Sequence, residues 1–242
     1  MVTVKVNETK WRIPERVTIS EWIDIQKWDV TNETHWPYVI NAISGIPAEE
    51  FIDAPEDSMQ MFMGFVISAT NRRTLKHQPD FNSLNFGEFV DLDCYMALGV
   101  EKHIFDILEI LEVDTPWSDE GLACIEQILE VMKVDTPWAD EALAVIEQFI
   151  KWRNTIYKQY KSLFGLEDKD FMDHEPSDEA YDPREVSRGW YQVIVDLAGE
   201  DVLKMDRIAE EPLQKILTFL QIKKERAQAT ANEARKIRNK QR

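Results

Sequence analysis

The chain has 242 residues, of which 44% are hydrophobic and 30% are charged, and its formal net charge is −17. This composition lies outside the range of disordered proteins and predicts a folded chain with one large core or two small ones. Eight glycines and ten prolines are too few for a turn-rich β fold, so the composition favours helices.

The sequence carries no pattern of a secreted or membrane-spanning protein. The first residues lack the basic start and apolar stretch of a signal peptide, and the longest apolar run, residues 61–67, is too short for a bilayer. The two cysteines, Cys94 and Cys124, lie in helical patterns and do not suggest a disulfide framework. We therefore expect a protein of the reducing cytoplasm.

The first predicted elements are a small N-terminal β-hairpin and a helix. Residues 2–6 and 10–13 alternate as two short strands around a polar turn. Thr18-Ile19-Ser20-Glu21 then forms a capping box, in which each end residue can satisfy a backbone N–H of the other. The following apolar spacing predicts a helix to about Trp28.

The next two predicted helices cover residues 36–44, ending at Gly45, and about 55–70. The second is rich in methionine, whose side chains repack easily around apolar partners. A partner-binding groove is therefore one reading of this segment, and burial in the core is the other. The candidate residues are Met59, Met61, Phe62, Met63 and Phe65.

A second capping box, Asn85-Phe86-Gly87-Glu88, predicts a helix that ends at Gly99, and a further helix covers about residues 101–112. Glu88, Asp91 and Asp93 offer grouped carboxylates for acid–base chemistry. Capping and the helix dipole already explain Glu88 and Asp91, so we do not predict catalysis there.

Residues 112–132 and 133–153 form a tandem duplication with 12 of 21 positions identical. Each copy places a threonine and a proline where a helix can begin, followed by acidic residues. Two copies of so short a unit do not make a solenoid. Trp117 and Trp138 occupy equivalent positions and are candidates for partner binding, with packing of the helix start as the alternative.

The predicted organisation is a helical body over residues 1–165, an acidic linker or loop over 166–188, and a C-terminal helical segment over 189–242. Within that segment, helices are expected at about 189–198 and 200–208, and a long one from Pro212. The predicted fold is mainly α, a multi-helix globular bundle with a small N-terminal β-hairpin and a long C-terminal helix.

Charge changes sign near the C-terminus. Residues 221–242 carry a net charge of +6, which leaves −23 on residues 1–220. The acidic body repels nucleic acid, and the basic tail lacks the aromatic residues that stack on bases, so nucleic-acid binding is not predicted. A solvated helix end, or one that docks on an acidic protein surface, fits better. The candidate contacts are Lys223, Lys224, Arg226, Arg235, Lys236 and Arg238.

Enzymatic and metal-binding signatures are not found in the sequence. The four histidines, His35, His77, His103 and His174, are far apart, with no helical metal-binding spacing. The acidic run 167–175 lacks the central glycine and terminal glutamate spacing of an EF-hand loop. No phosphate-binding glycine loop, dinucleotide fingerprint or nucleophile elbow occurs. We therefore predict no cofactor, no metal and no enzymatic activity.

Five short segments share a pattern with known proteins. They are Asn85-Phe86-Gly87-Glu88-Phe89-Val90-Asp91-Leu92, Tyr160-Lys161-Ser162-Leu163-Phe164-Gly165, Gly189-Trp190-Tyr191-Gln192-Val193-Ile194, Leu197-Ala198-Gly199 and Pro212-Leu213. Together they resemble proteins encoded among the tail genes of tailed bacteriophages, and these look like tail assembly chaperones. The resemblance covers about a third of the chain, and its motifs are helix starts and packing residues.

The resemblance implies a helical, non-enzymatic assembly factor that acts in the cytoplasm of the bacterial host. Such chaperones bind the tape measure protein and recruit tube subunits, and they are absent from the finished particle. The alternative is a structural virion protein, such as a connector or internal component. In that case the basic tail would hold the chain to an acidic neighbour or to packaged DNA. No membrane partner is expected, and the oligomeric state stays open.

Overall fold

The computed structural model describes residues 2–6, 9–51, 54–75, 79–113, 138–164 and 183–240. Helices dominate this part of the chain, which confirms the mainly α prediction. They are α1 (Ile19–Gln26), α2 (Trp36–Ser44), α3 (Glu56–Thr70), α4 (Phe86–Leu98), α5 (Val100–Ile110), α6 (Ala139–Gln159), α7 (Lys161–Phe164), α8 (Pro183–Ala198), α9 (Met205–Ala209) and α10 (Leu213–Lys240).

Short 3-10 turns precede or connect several of these helices, at Glu33–His35, Ala48–Phe51, Phe81–Ser83 and Val202–Lys204. At the N-terminus, β1 (Val2–Val6) and β2 (Thr9–Ile13) pair antiparallel. Val2 lies opposite Ile13 and Val6 opposite Thr9, so the two strands pair along their full length.

The chain folds into two compact units that are each discontinuous in sequence. Unit 1 comprises Met1–Pro79 and Ile104–Gln148, and unit 2 comprises Asp80–His103 and Phe149–Arg242. The predicted division into 1–165 and 189–242 does not match these units. Two of the three boundaries fall inside α5 and α6, where the helical pattern continues without any change in composition that could reveal them.

In unit 1, α2 packs against both α1 and α3. The Thr18 capping box begins α1, since the Glu21 N–H donates to Thr18 Oγ1 at 3.2 Å and the Thr18 N–H donates to Glu21 Oε2 at 2.7 Å. Gly45 ends α2 with a φ of 67°, a left-handed conformation that glycine adopts without strain. The core includes Ile19, Val39, Ile40, Ile46, Phe62, Ile107, Leu108 and Ala142.

A charged cluster joins the start of α6 to the segment before α1. Arg16 donates to Asp140 through Nε at 3.0 Å and through Nη2 at 2.5 Å, and Nη2 also reaches Glu141 at 2.5 Å. The Asp140 side chain is only 2% exposed. Burial alone would raise its pKa, but the hydrogen bonds from Arg16 and Thr74 and the charge of Arg16 outweigh burial and lower the pKa.

Because the pKa of Asp140 is lowered in the folded state, the free energy of unfolding should depend on pH in the acidic range. A carboxyl with a lower pKa in the folded state stabilises the fold above its unfolded pKa, and this contribution is lost as pH falls through the folded value. We expect Asp140→Asn to reduce the free energy of unfolding by about 1–3 kcal/mol at pH 7. The difference from the wild type should shrink as the pH falls below about 4.

Urea denaturation of both proteins between neutral and acidic pH measures this difference. The control is Glu147→Gln, because Glu147 pairs with Arg73 at 2.5 Å in the same unit while its side chain is 44% exposed. Screening limits the contribution of such a pair to about 0–1 kcal/mol. A penalty for Asp140→Asn that is equally large at acidic and neutral pH would contradict the ion-pair explanation.

Unit 2 is built around α4, which packs against α8, α9 and α10. Its capping box is formed as predicted, with Asn85 and Glu88 exchanging two hydrogen bonds of 2.8 Å. At Gly87 the helices approach closely, since a Cβ there would lie 3.0 Å from the Cβ of Ala209. The core includes Phe81, Leu84, Phe86, Phe89, Leu92, Phe149, Ile156, Trp190, Leu213 and Leu217.

Two predicted elements of the C-terminal segment need correction. α8 begins at Pro183 instead of about residue 189, so residues 183–188 are helix and not linker. Their charged and polar side chains resemble a linker in the sequence, yet Pro183 suits a first helical position, where the missing N–H is not needed. The predicted helix at 200–208 is a 3-10 turn at Val202–Lys204 followed by the short α9.

Candidate functional site

A buried carboxylate organises the centre of unit 2. Asp93 on α4 is buried and accepts hydrogen bonds from Trp190 Nε1 at 2.8 Å and from Tyr157 Oη at 2.7 Å. Arg153 Nη1 on α6 lies 3.3 Å from the same carboxylate and balances its charge. A buried carboxylate requires such partners, because its desolvation would otherwise cost several kcal/mol.

The local sequence explains why Asp93 points inward. It follows Phe89 by four residues and Phe86 by seven, so all three lie on one face of α4. Phe89 packs edge-on against Trp190 with ring centroids 5.8 Å apart. The carboxylate and the aromatic side chains together therefore position Trp190 of α8 against α4.

Beside this centre lies an open groove of about 770 Å³, all of whose lining residues belong to unit 2. α8 contributes one wall, through Val186, Gly189, Trp190 and Val193, and α10 contributes another, through Leu217, Leu220 and Ala227. Leu163 and Phe164 of α7, Tyr157 of α6 and Asp93 of α4 also line the groove. The surface between the walls is mostly apolar, as in sites that bind apolar side chains.

Charged residues on the two walls have opposite signs. Glu185 and Asp196 belong to the α8 wall, and Lys223 and Lys224 belong to the α10 wall. The ammonium group of Lys224 also donates to the backbone carbonyl of Ser162, which ties α10 to α7. The groove is thus an apolar channel with an acidic side and a basic side.

Cys94 lies next to Asp93 on α4 and is half-buried. Burial raises the pKa of its thiol, and the negative charges of Asp93 and Asp91 raise it further. A hydrogen bond with Ser187 lowers the pKa but does not cancel these effects. A thiol with a raised pKa is a poor nucleophile at neutral pH. The Cys94 thiol is therefore mainly protonated at neutral pH.

The methionine-rich helix α3 divides the predicted partner-binding residues into two groups. Phe62 and Met63 are buried in the core of unit 1, where the ring centroids of Phe62 and Phe51 lie 5.4 Å apart in an edge-on contact. These two residues are therefore core residues and not partner-binding residues. Met59 is partly buried. Met61 and Phe65 are 52% and 40% exposed, and they are one helical turn apart on the outer face. Among the predicted residues of α3, Met61 and Phe65 are therefore the two that are exposed for contact with a partner.

The two equivalent tryptophans cannot be compared directly, because Trp117 lies outside the described residues. Trp138 stands just before α6, is 37% exposed, and has the guanidinium of Arg16 4.7 Å from its ring centre. Its backbone pairs with that of Thr18. Trp138 thus packs partly at the helix start and keeps one part of its ring accessible.

The basic residues proposed for the tail all lie on α10. Lys223 and Lys224 line the groove, whereas Arg226, Arg235, Lys236 and Arg238 are exposed farther along the helix. The structure therefore separates the six into a groove pair and an outer set.

The remaining polar candidates do not converge on a catalytic arrangement in the described part of the chain. Glu88 caps α4 while Asp93 faces the core, so the two carboxylates serve different purposes. His103 stacks on Tyr95 at 4.8 Å and His35 packs against Trp28 at 5.6 Å. His77, His174 and the acidic run 167–175 lie outside the described residues.

Among the described residues, no group of histidine, cysteine and carboxylate side chains could hold a metal ion. No described helix combines the length and the apolar character needed to cross a bilayer.

The sequence reasoning missed the groove and assigned Asp93 no role in it. One signal for Asp93 was available, since it falls in the apolar stripe of α4, where a charged residue needs a partner. The partners themselves, Tyr157 and Trp190, are 64 and 97 residues away and cannot be found from local spacing.

Comparison with known proteins gives no match. No protein-family model matches the chain, and no curated protein or solved structure resembles it at a significant level. The resemblance to tail assembly chaperones therefore rests on the quoted segments alone.

Proposed function

We propose that the chain is a non-enzymatic assembly factor of a tailed bacteriophage, a tail assembly chaperone that holds a helical tape-measure-type partner in the host cytoplasm. The observation that carries this proposal is the apolar groove between α8 and α10. An open apolar channel on a highly charged protein is a typical binding site for the apolar face of a partner helix.

The segments that resemble tail chaperones support the same site. Leu163 and Phe164 come from one of these segments, and Gly189, Trp190 and Val193 come from another; all five line the groove. Segments far apart in sequence thus contribute to one surface. A shared binding surface explains why these packing residues, instead of a reactive motif, carry the resemblance.

Charge and hydrophobicity suit a holding function. The formal net charge of −17 keeps the protein soluble while it covers apolar surface on a partner that would otherwise aggregate. On α3, Met61 and Phe65 offer a second apolar contact, and methionine adapts to partners of varied shape. The chaperone therefore binds mainly through the groove and secondarily through α3.

Co-expression with a tape-measure-type protein, a long helical protein of a tailed bacteriophage, tests the proposal. We expect the two proteins to co-purify, and we expect Val193→Glu to weaken binding about a hundredfold, or about 2.7 kcal/mol. The reason is that a carboxylate placed in the apolar groove loses hydration without gaining a partner. The measurement is the dissociation constant of the purified complex.

The matched control is Tyr191→Glu, which places the same charge on the solvent side of α8, where Tyr191 is 60% exposed. Binding should be unchanged. Replacing both Met61 and Phe65 by serine should weaken binding less than Val193→Glu does. Equal binding by the wild type and Val193→Glu would remove the groove from the proposal.

Mass spectrometry of purified virions separates the chaperone from the structural alternative. A chaperone leaves before the particle is complete, so the chain should be missing from virions. Recovery of the chain at a stoichiometric copy number would instead support a connector or internal virion protein, with the exposed basic residues of α10 as its attachment.

A further inference from the structure

The length of the groove walls matches that of a helix of about three turns. Its α10 wall extends from Leu217 to Ala227 and its α8 wall from Glu185 to Asp196. At about 1.5 Å per residue, both walls are about 15 Å long. A helix of this length presents three or four apolar side chains on one face, with spacing i, i+3, i+4 and i+7.

The charges of the walls specify the flanks of such a helix. A helix lying in the groove has one flank beside α8, with Glu185 and Asp196, and the other beside α10, with Lys223 and Lys224. Like charges placed next to each other would oppose binding, and opposite charges favour it. The occupant therefore requires basic residues on the first flank and acidic residues on the second.

We propose that the groove binds an amphipathic helix whose apolar face is bordered by basic residues on the α8 side and acidic residues on the α10 side. This inference rests on the proposed function, because the natural occupant is then a segment of the tape-measure-type partner. The two charged flanks also fix the direction of the bound helix, since reversing the helix would place each flank beside a wall of its own sign.

The chain's own exposed helix fits this pattern poorly. Beyond Lys224, α10 carries five basic residues, Arg226, Arg235, Lys236, Arg238 and Lys240, against only Glu225 and Glu233. Such a segment offers basic residues for Glu185 and Asp196 but few acidic residues for the α10 wall. A partner with both charge signs is therefore favoured over a second copy of the chain.

A fluorescent synthetic peptide tests the proposal on the full-length protein. The probe has about four helical turns, a leucine face, a lysine flank and a glutamate flank. We expect fluorescence anisotropy to show binding that weakens as salt is added, because charges on the rim of a site are screened. A companion peptide with glutamine in place of the glutamates should bind more weakly to the wild type.

The decisive variant is Lys223→Glu, which reverses one wall charge and leaves the Lys224 contact with Ser162 intact. We expect it to weaken binding of the glutamate-flanked peptide about fivefold and to leave the glutamine peptide nearly unaffected. Lys236→Glu is the matched control, since it makes the same charge change at an exposed position outside the groove. It should alter neither affinity.

Three results would overturn the inference: no binding of the probe by the intact protein, equal losses for Lys223→Glu and Lys236→Glu, or a self-associated protein that the probe dissociates. The last, measured by light scattering, would assign the groove to a second copy.

If the probe fails while the tape-measure-type protein still co-purifies, the inference fails and the proposed function survives. If the probe binds but that protein does not, the proposed function fails.

Discussion

Replacing Asp93 by alanine is expected to lower the free energy of unfolding by about 3–5 kcal/mol, the range observed when one partner of a buried ion pair is removed. The substitution leaves Arg153 without its carboxylate, and Arg153 Nε already lacks a hydrogen-bond partner within the described residues. Trp190 Nε1 and Tyr157 Oη lose their acceptor as well. Three helices, α4, α6 and α8, would therefore lose their common polar centre.

Asp91→Ala provides a matched control for this prediction. Asp91 lies on the same helix two residues earlier, and its side chain is exposed. The same chemical change should therefore alter stability by no more than about 0.5 kcal/mol. Urea unfolding followed by tryptophan fluorescence measures both variants. A loss for Asp93→Ala no greater than that for Asp91→Ala would contradict the role of the buried carboxylate.

Phe89→Ala is expected to cost about 3–5 kcal/mol for a different reason, the cavity left by a large buried side chain. Phe89 is 0% exposed and makes edge-on contacts with Trp152, Tyr157 and Trp190 at 6.1, 6.4 and 5.8 Å. Such aromatic pairs contribute beyond the area that they bury. The loss should also alter the emission of the two tryptophans.

The control for Phe89→Ala is Tyr191→Ala, because Tyr191 adjoins Trp190 on α8 but faces solvent. Phe89→Leu should recover part of the lost stability, since leucine refills most of the volume. If Phe89→Ala were no more destabilising than Tyr191→Ala, α4 would not be the packing centre of unit 2.

Local features of the fold could be predicted from the sequence because their causes lie within a few residues. The capping boxes at Thr18 and Asn85 form as the spacing indicates, and Gly45 ends α2 in the left-handed conformation. In each case one or two backbone groups need a partner that a neighbouring side chain supplies. The helical class follows from the same local rules.

Features that depend on distant residues could not be predicted in this way. The groove forms because α8 and α10 both pack against α4, and no periodicity within either helix predicts that arrangement. The methionine-rich segment shows the same limit, since its pattern could not tell which of Met61 and Met63 faces solvent until α3 had packed on α2. The charges of residues 183–188 likewise concealed the start of α8.

The discontinuous make-up of the two units has a consequence for synthesis on the ribosome. Unit 1 can complete its core once residue 148 has emerged, whereas α4 of unit 2 must wait for α8 and α10, which are translated about a hundred residues later. At about 5–20 residues per second, this delay lasts between 5 and 20 seconds, to order of magnitude. Until α8 emerges, Phe86 and Phe89 lack their edge-on contacts with Trp190, so part of the apolar face of α4 stays uncovered on the nascent chain.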